Sequence, residues 1–246
     1  MEQNKQRIVV KVGTSTLTHN SGALDLWSME HLVRTLADLQ GMGHEVILVS
    51  SGAIAVGTAK LGLSERPKEL RMKQAAAAVG QCRMMHIYDK FFSEYNRSMA
   101  QILLTGDDVE DPERAEHLSN TFSALLEMGV IPVVNENDSV SSAEIETGRH
   151  KVLGDNDTLS AIVAELCRAD LLVLLSDIDG LYDADPKTHP EAKLLHQVTE
   201  LTPEILEMAG GAGSWRGTGG MATKLRAARM VTGSGADMVI ANGAHP

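Results

Sequence analysis

Residues 8–15 read Ile-Val-Val-Lys-Val-Gly-Thr-Ser, a short apolar run that ends in small and polar residues. A run that is apolar nearly throughout is typical of a β-strand covered on both faces, as parallel strands usually are. We predict the first strand at 8–12. Five further runs share its pattern, and they lie at 45–49, 101–104, 130–134, 171–175 and 238–241. The sequence therefore predicts six strands of a mainly parallel sheet.

Longer segments between these strands carry apolar residues at i, i+3 and i+4, the spacing of helices with one buried face. They span 28–40, 69–95, 114–128, 158–167 and 221–232. Gly129 and Gly233 are expected to stop two of these helices. Residues 143–152 are polar with β-compatible positions, and we expect a hairpin or lid there. This alternation of strands and helices predicts one α/β domain with helices on both faces of the sheet.

The composition restricts the class of protein. A net charge of -11, from 22 Lys plus Arg against 33 Asp plus Glu, disfavours a nucleic-acid partner. The apolar fraction of 43% with only 3% aromatics predicts an aliphatic core. Two distant cysteines, Cys82 and Cys167, indicate a reducing compartment. With no signal peptide and no apolar run near the roughly 20 residues that span a bilayer, a cytoplasmic location without membrane partners is expected.

Small and polar residues follow four of the predicted strands. They read Lys-Val-Gly-Thr-Ser at 11–15, Ser-Ser-Gly-Ala at 50–53, Asn-Glu-Asn-Asp at 135–138 and Ser-Asp-Ile-Asp-Gly at 176–180. Because open parallel sheets bind ligands beyond the carboxyl ends of their strands, we expect these residues to line a site. For 135–138, a turn that only ends its strand is the alternative interpretation.

Two lysines stand where their charge needs an explanation. Lys11 interrupts a buried apolar strand, and Lys224 lies in the first turn of a predicted helix, at the positive end of the helix dipole. A nearby anion would explain both, although a solvated strand end is the alternative for Lys11. The Gly-Thr-Gly-Gly turn at 217–220 can present N–H groups to an anion and is equally compatible with a plain flexible turn.

Other nucleotide and hydrolase motifs are absent from the sequence. It contains no G-x-x-x-x-G-K-[ST], and no G-x-G-x-x-G follows the first strand, which disfavours a P-loop kinase and a dinucleotide-dependent dehydrogenase. It contains no H-E-x-x-H, and none of its nine histidines stands in a recognisable nucleophile setting. Hydrolysis by a triad or by zinc therefore lacks support.

Five motifs in order resemble the glutamate 5-kinase family of the amino acid kinase superfamily. They are Val-Lys-Val-Gly-Thr-Ser at 10–15, Ser-Ser-Gly-Ala-Ile-Ala at 50–55, Val-Asn-Glu-Asn-Asp at 134–138, Gly-Asp-Asn-Asp-Thr-Leu-Ser-Ala at 154–161 and Gly-Thr-Gly-Gly-Met-Ala-Thr-Lys at 217–224. The resemblance covers essentially the whole chain and implies a three-layer αβα sandwich, the amino acid kinase fold. It also implies ATP-dependent phosphorylation of the γ-carboxylate of L-glutamate, the first step of proline biosynthesis.

The resemblance also assigns binding positions. Ser51, Asp138 and Asn156 match the glutamate-binding positions, and Gly52 is added because a helix that opens at 51–53 can direct N–H groups at a carboxylate. Gly13 is expected to offer a backbone donor to the nucleotide. The ATP-binding positions are matched by Lys11, Ser176, Asp177, Thr218, Gly219, Gly220, Met221, Ala222, Thr223 and Lys224.

Catalysis is expected to be electrostatic, because phosphoryl transfer to a carboxylate brings two anions together. Lys11 and Lys224 are expected on opposite sides of the transferring group, with Mg²⁺ bridging the ATP phosphates. A glutamate side chain is already ionised at neutral pH, so Asp157 is not needed as a base. We expect Asp157 to hold the two lysines, or else only to cap its helix. Asp138 is the candidate partner of the α-ammonium.

Members of this family assemble as dimers or tetramers and are inhibited by proline, and the resemblance extends both expectations to this chain. Many also carry a C-terminal PUA domain. We expect 1–246 to form one kinase domain without a PUA domain, its C-terminal end being a short natural form or truncated. Two alternatives stay open: another superfamily kinase, acting on acetylglutamate, aspartate, carbamate or UMP, and a nucleotide or amino-acid sensor without turnover.

Overall fold

A computed structural model describes residues 5–140, 153, 155–186, 188–208 and 220–246. Its strands are β1 (Arg7–Val12), β2 (Glu45–Ser50), β3 (Met99–Leu104), β4 (Ile131–Glu136), β5 (Leu171–Ser176), β6 (Leu181–Tyr182), β7 (Leu194–Leu195) and β8 (Asp237–Asn242). Six of them form one parallel sheet in the order β3-β4-β2-β1-β5-β8. The predicted strands are thus confirmed, with ends within two residues of the prediction. The pair β6 and β7 forms a small antiparallel hairpin that was not predicted.

The described helices are α1 (Thr14–Leu17), α2 (Leu26–Gly41), α3 (Ala53–Lys60), α4 (Leu70–Glu94), α5 (Gly106–Glu110), α6 (Pro112–Glu127), α7 (Asn156–Leu166), α8 (Pro203–Met208) and α9 (Met221–Gly233). The five predicted helices correspond to α2, α4, α6, α7 and α9. Among the described helices, none combines the length and the apolar character needed to cross a lipid bilayer. The hairpin or lid predicted at 143–152 lies outside the described residues.

Both helices with a predicted glycine stop end at or next to that glycine. Gly129 follows α6 with φ +70°, and the backbone N–H groups of Gly129 and Val130 close the end of that helix on carbonyl groups of its last turn. Gly233 is the last residue of α9, so this helix also ends where the sequence predicts. The residue in the left-handed region is Gly235, with φ +93°. The positive φ that closes the end of α9 is thus adopted two residues after the predicted glycine.

Helices cover both faces of the sheet, as predicted. On β1, Ile8, Val10 and Val12 face a core shared with α2, α3 and α4. Val9 faces the opposite core, which contains residues of α6, α7 and α9. Because side chains alternate along a strand, Lys11 lies on the same face as Val9 and so beside α7. Strand β8, at one edge of the sheet, is more exposed to solvent than the central strands.

Helices α3 and α4 cross with their backbones in contact at two glycines. A Cβ atom on Gly57 would lie 1.8 Å from the carbonyl oxygen of Ala76, and one on Gly80 would lie 1.8 Å from that of Ala53. No side chain fits at either position, so only glycine permits this close approach. The crossing holds the first residue of α3, and with it the loop of Ser51 that precedes the helix.

The variant Gly57→Ala is expected to lower the free energy of unfolding by about 3 kcal/mol, because the two helices must separate to admit a methyl group. Gly233→Ala is the matched control, since an added Cβ there meets no atom within 4 Å. We expect that control to be neutral or slightly more stable than the parent protein. Urea unfolding of both variants measures the effect. A loss below about 0.5 kcal/mol for Gly57→Ala would show that the crossing relaxes at little cost.

Candidate active site

One buried carboxylate joins the two lysines that the sequence analysis singles out. Oδ1 of Asp157 lies 2.7 Å from Nζ of Lys11, and its Oδ2 lies 3.2 Å from Nζ of Lys224. The side chain of Asp157 is 4% exposed and each lysine is 10% exposed. Strand β1 supplies Lys11, while α7 and α9 supply the other two residues from the covering layer. The sheet topology thus brings together three charged groups that are remote in sequence.

Asp155, and not Asp157, caps the beginning of α7. Its Oδ1 accepts hydrogen bonds of 2.9 Å from the backbone N–H groups of Asp157 and Thr158. The cap that the sequence left as an alternative role for Asp157 is therefore provided two residues earlier. The carboxylate of Asp157 instead receives the two lysines and a hydrogen bond of 2.7 Å from Oγ1 of Thr223.

The pKa of Asp157 lies below its ordinary value. Burial acts to raise this pKa, but the charges of Lys11 and Lys224, with hydrogen bonds from Lys11 and Thr223, outweigh the burial. The group is therefore ionised at neutral pH and is a poor proton acceptor. What it can do is hold two ammonium groups at a fixed separation and keep them charged.

A first cavity, of about 400 Å³, opens beside Lys11 and is called the polar cavity. Three cationic side chains line it, those of Lys11, Arg66 and Lys224. A volume of this order holds a small molecule. Gly13, which was predicted to contact the nucleotide, also lines this cavity. So do all four residues predicted to bind the acceptor: Ser51, Gly52, Asp138 and Asn156.

A second cavity, of about 500 Å³, lies on the other side of Lys224 and is called the apolar cavity. Ser176 and Asp177 line it at the end of β5, as do Gly220 and Met221 at the beginning of α9. Apolar surface beside a few polar groups suits a planar ring with a charged tail. The apolar wall consists of Ile178, Leu181, Tyr182, Ala184, Pro186, Met208 and Met221.

Lys224 and Gly220 line both cavities. The ammonium group of Lys224 is therefore placed where a ligand in one cavity approaches a ligand in the other. The rest of the predicted Gly-rich stretch divides. Ala222 and Thr223 are not among the lining residues of either cavity, and the hydroxyl of Thr223 bonds Asp157 and the backbone carbonyl of Gly220. Thr218 and Gly219 lie outside the described residues.

The side-chain amide of Asn156 has a fixed orientation. Its Nδ2 donates to the backbone carbonyl of Ser50 at 2.8 Å and to Oγ of Ser51 at 2.7 Å. A carbonyl oxygen can only accept, so this contact decides which end of the amide faces β2. The amide oxygen of Asn156 remains as the acceptor end. Behind it, Oδ1 of the buried Asn135 lies 3.2 Å from the same Nδ2.

The turn before α3 requires a glycine at Gly52. Its φ of +106° lies in the left-handed region, where other residues are strained. In this conformation the chain reverses directly from β2 into α3. The free N–H groups of the first turn of α3 therefore begin at the wall of the polar cavity, where Ala53, Ile54 and Ala55 lie.

Sequence reasoning missed several lining residues. Arg66 is one of them, and it lies between α3 and α4 rather than at the end of a strand. Glu136 lines the polar cavity as expected for 135–138, although no binding role was assigned to it. Met208 comes from α8, a short helix that was not predicted. Arg66 and Met208 carry no local signal, because their neighbours in sequence are ordinary turn and helix residues.

A protein metal site is not formed by the described residues. Within 5–140, 153, 155–186, 188–208 and 220–246, no three His, Cys, Asp or Glu side chains cluster so that they could hold a metal ion. The carboxylate of Asp157 is already occupied by two lysines. Mg²⁺ commonly binds through nucleotide phosphates and water rather than through an all-protein cage.

The chain is similar to known kinases. The model of the amino acid kinase family matches residues 6–242. A glutamate 5-kinase of Clostridium perfringens is 56% identical, over 99% of this chain and 90% of that protein. A glutamate 5-kinase of Clostridium acetobutylicum is also 56% identical, over 98% and 88%. The isopentenyl phosphate kinase of T. acidophilum, in a product complex, has a TM-score of 0.62 at 18% identity, over 98% of this chain and 92% of that one.

Proposed function

The chain belongs to the amino acid kinase family, and because relatives at 52–56% identity are named glutamate 5-kinase, we propose that it phosphorylates L-glutamate with ATP. The products are γ-glutamyl phosphate and ADP. Structural neighbours named UMP kinase and aspartate kinase are 15% and 19% identical, and they support the fold alone. The observation that carries the proposed chemistry is the buried cluster of Lys11, Asp157 and Lys224 between two cavities.

In this proposal the nucleotide occupies the apolar cavity. The adenine ring lies against the apolar wall, and Ser176 and Asp177 contact the nucleotide at the end of β5. The phosphates point to the beginning of α9, where the N–H groups of Gly220 and Met221 and the positive end of the helix dipole attract an anion. Thr218 and Gly219 lie outside the described residues, and we include them in the nucleotide site because they match the family motif. Ala222 and Thr223 complete the first turn of the helix.

The acceptor occupies the polar cavity. Its γ-carboxylate lies near Lys11 and Gly13, while Asp138 binds the α-ammonium. Ser51, Gly52 and the N–H groups that open α3 surround the rest of the molecule, and the fixed amide oxygen of Asn156 is available to a donor. Lys224 stands between this ligand and the nucleotide.

The chemistry needs positive charge more than it needs a base. Both the γ-phosphoryl group and the attacking carboxylate are anions, and the carboxylate is ionised at neutral pH because its ordinary pKa is about 4.3. Lys11 and Lys224 offset the repulsion and stabilise the negative charge of the transition state. Asp157 positions both ammonium groups and takes no proton. Mg²⁺ enters as part of the Mg²⁺–ATP substrate.

The family resemblance adds further parts to the proposal. We take residues 1–246 as one kinase domain that assembles as a homodimer or homotetramer, acts in the cytoplasm and is inhibited by proline. Gel filtration and the effect of proline on the glutamate KM measure two of these properties.

ADP release with different acceptors tests the proposed function. The full chain is incubated with Mg²⁺–ATP and L-glutamate, acetylglutamate, aspartate or UMP, and hydroxylamine traps any acyl phosphate as a hydroxamate. We expect ADP and hydroxamate with L-glutamate, at a kcat/KM well above that of the other acceptors. Preference for another acceptor would identify a different kinase of the family. Glutamate and ATP binding without ADP release would identify a sensor.

Asp138→Ala is expected to raise the KM for glutamate about tenfold or more, because an ionic hydrogen bond to the α-ammonium is lost. The turnover number and the KM for ATP should change little. Glutarate, which lacks the ammonium group, should respond weakly to the same substitution. The exposed Asp89, changed to alanine, is the matched control for lost charge. An unaltered glutamate KM in Asp138→Ala would remove this residue from the acceptor site.

A further inference from the structure

Arg66 is a third cation of the polar cavity, and nothing in the proposed chemistry uses it. Lys11 and Lys224 are both engaged by Asp157. Among the described residues, no carboxylate forms an ion pair with Arg66. Its guanidinium is therefore available to a ligand in the cavity that it lines.

The loop that carries Arg66 is anchored at both ends. It connects α3 to α4, and the contact at Gly57 and Gly80 locks these two helices together. At the start of the loop, the N–H of Leu63 donates to the carbonyl of Thr58 at 3.1 Å. At Arg66 itself, the following Pro67 restricts the backbone to extended conformations. The guanidinium is thus carried by a restrained segment beside the cavity.

The charges of the cavity complement an α-amino dicarboxylate. L-Glutamate carries two carboxylates and one ammonium group. In the proposed function the γ-carboxylate lies near Lys11 and the ammonium lies on Asp138, so the α-carboxylate is the charge without a cationic partner. The N–H groups that open α3 offer only partial positive charge. Arg66 is the cation of the cavity that remains.

We propose that Arg66 binds the α-carboxylate of the acceptor and so makes the enzyme select an α-amino acid with a free carboxylate. This inference rests on the proposed function. A guanidinium presents two parallel N–H groups that match the two oxygens of a carboxylate, which gives geometric selection as well as charge. An acceptor with a neutral group at this position leaves the two N–H groups of the guanidinium without an anionic partner.

The test compares L-glutamate with L-isoglutamine, its α-carboxamide, which keeps the size, the ammonium group and the γ-carboxylate. In the parent enzyme, kcat/KM for isoglutamine should be at least tenfold below that for glutamate. Arg66→Gln should raise the glutamate KM about tenfold to a hundredfold, with the KM for ATP unchanged, and should remove the preference between the two acceptors. Arg66→Lys keeps the charge but lacks the two parallel N–H groups, so it should recover part of the preference for glutamate over isoglutamine.

Arg83→Gln is the matched control, because it removes an exposed arginine from α4 that does not line either cavity. We expect its kinetics to equal those of the parent enzyme. An Arg66→Gln enzyme that still prefers glutamate, or that loses activity equally with both acceptors, overturns the inference. A parent enzyme that does not separate the two acceptors overturns it as well. If the parent enzyme turns over neither, the proposed function has failed, which is a distinct outcome.

Discussion

Lys224→Ala is expected to lower the turnover number at saturating ATP and glutamate by at least about tenfold, and by as much as about a thousandfold. The reason is the position of its ammonium group, which lines both cavities and so lies where the phosphoryl group passes between them. A charge that stabilises the transition state more than the bound substrates acts on kcat rather than on KM.

The fold should survive this substitution. Asp157 keeps its partner Lys11 at 2.7 Å and its hydrogen bond from Thr223, so no buried charge is left alone. Lys90→Ala, at an exposed position of α4, is the control for a lost lysine. Steady-state kinetics with thermal unfolding of each variant separates chemistry from stability. An unchanged turnover number at saturating substrates would take Lys224 out of the mechanism.

The sheet could be predicted from the sequence because each strand is a short apolar run that ends in a small or polar residue. Burial on two faces imposes that pattern directly on the residues, as at β2 and β5. The short helices α1, α5 and α8 leave no such pattern, because four to six residues do not complete an apolar face. Their formation depends on caps and on the tertiary structure around them.

The residues at strand ends were predictable for the same reason, since the carboxyl ends of parallel strands meet at one edge. Ser51, Asp138 and Ser176 all line a cavity there. Arg66 was not predictable, because it reaches the polar cavity only when α3 and α4 pack through Gly57 and Gly80. That packing depends on glycines in two different helices, and the sequence of the loop that carries Arg66 gives no sign of it.

The stretch at 218–224 shows how helical geometry divides a contiguous motif. Met221 and Lys224 are three residues apart, lie on one face of α9 and line the apolar cavity together. Ala222 and Thr223 point elsewhere, and Thr223 is 1% exposed and bonded to Asp157. A motif match predicts a ligand contact for every residue of the stretch. In the helix, Met221 and Lys224 face the ligand cavity, whereas Thr223 bonds Asp157, the residue that holds the lysines.

Asp157→Asn is expected to lower the turnover number by about tenfold to a hundredfold, since the amide keeps the size of the side chain but no longer holds two ammonium groups in place. It should also lower the free energy of unfolding at neutral pH by about 3 kcal/mol, because two buried lysines lose their counter-ion. Cap loss is not the cause of either effect, as Asp155 caps α7.

The pH dependence of stability gives this prediction its sharpest test. The pKa of Asp157 is lowered in the folded state by Lys11 and Lys224, which outweigh burial. The unfolded protein therefore takes up the proton first as pH falls, and the contribution of Asp157 is complete above about pH 4, the ordinary value of the group. Below that pH the contribution decreases until the folded pKa is passed, so the stability difference between the parent protein and Asp157→Asn should shrink on acidification.

Urea unfolding from pH 7 to pH 3 measures this difference, and activity per folded molecule measures the chemical effect. If Asp157→Asn is less stable but fully active per folded molecule, Asp157 has a structural role only. In that case Lys11 and Lys224 would keep their catalytic positions without its carboxylate.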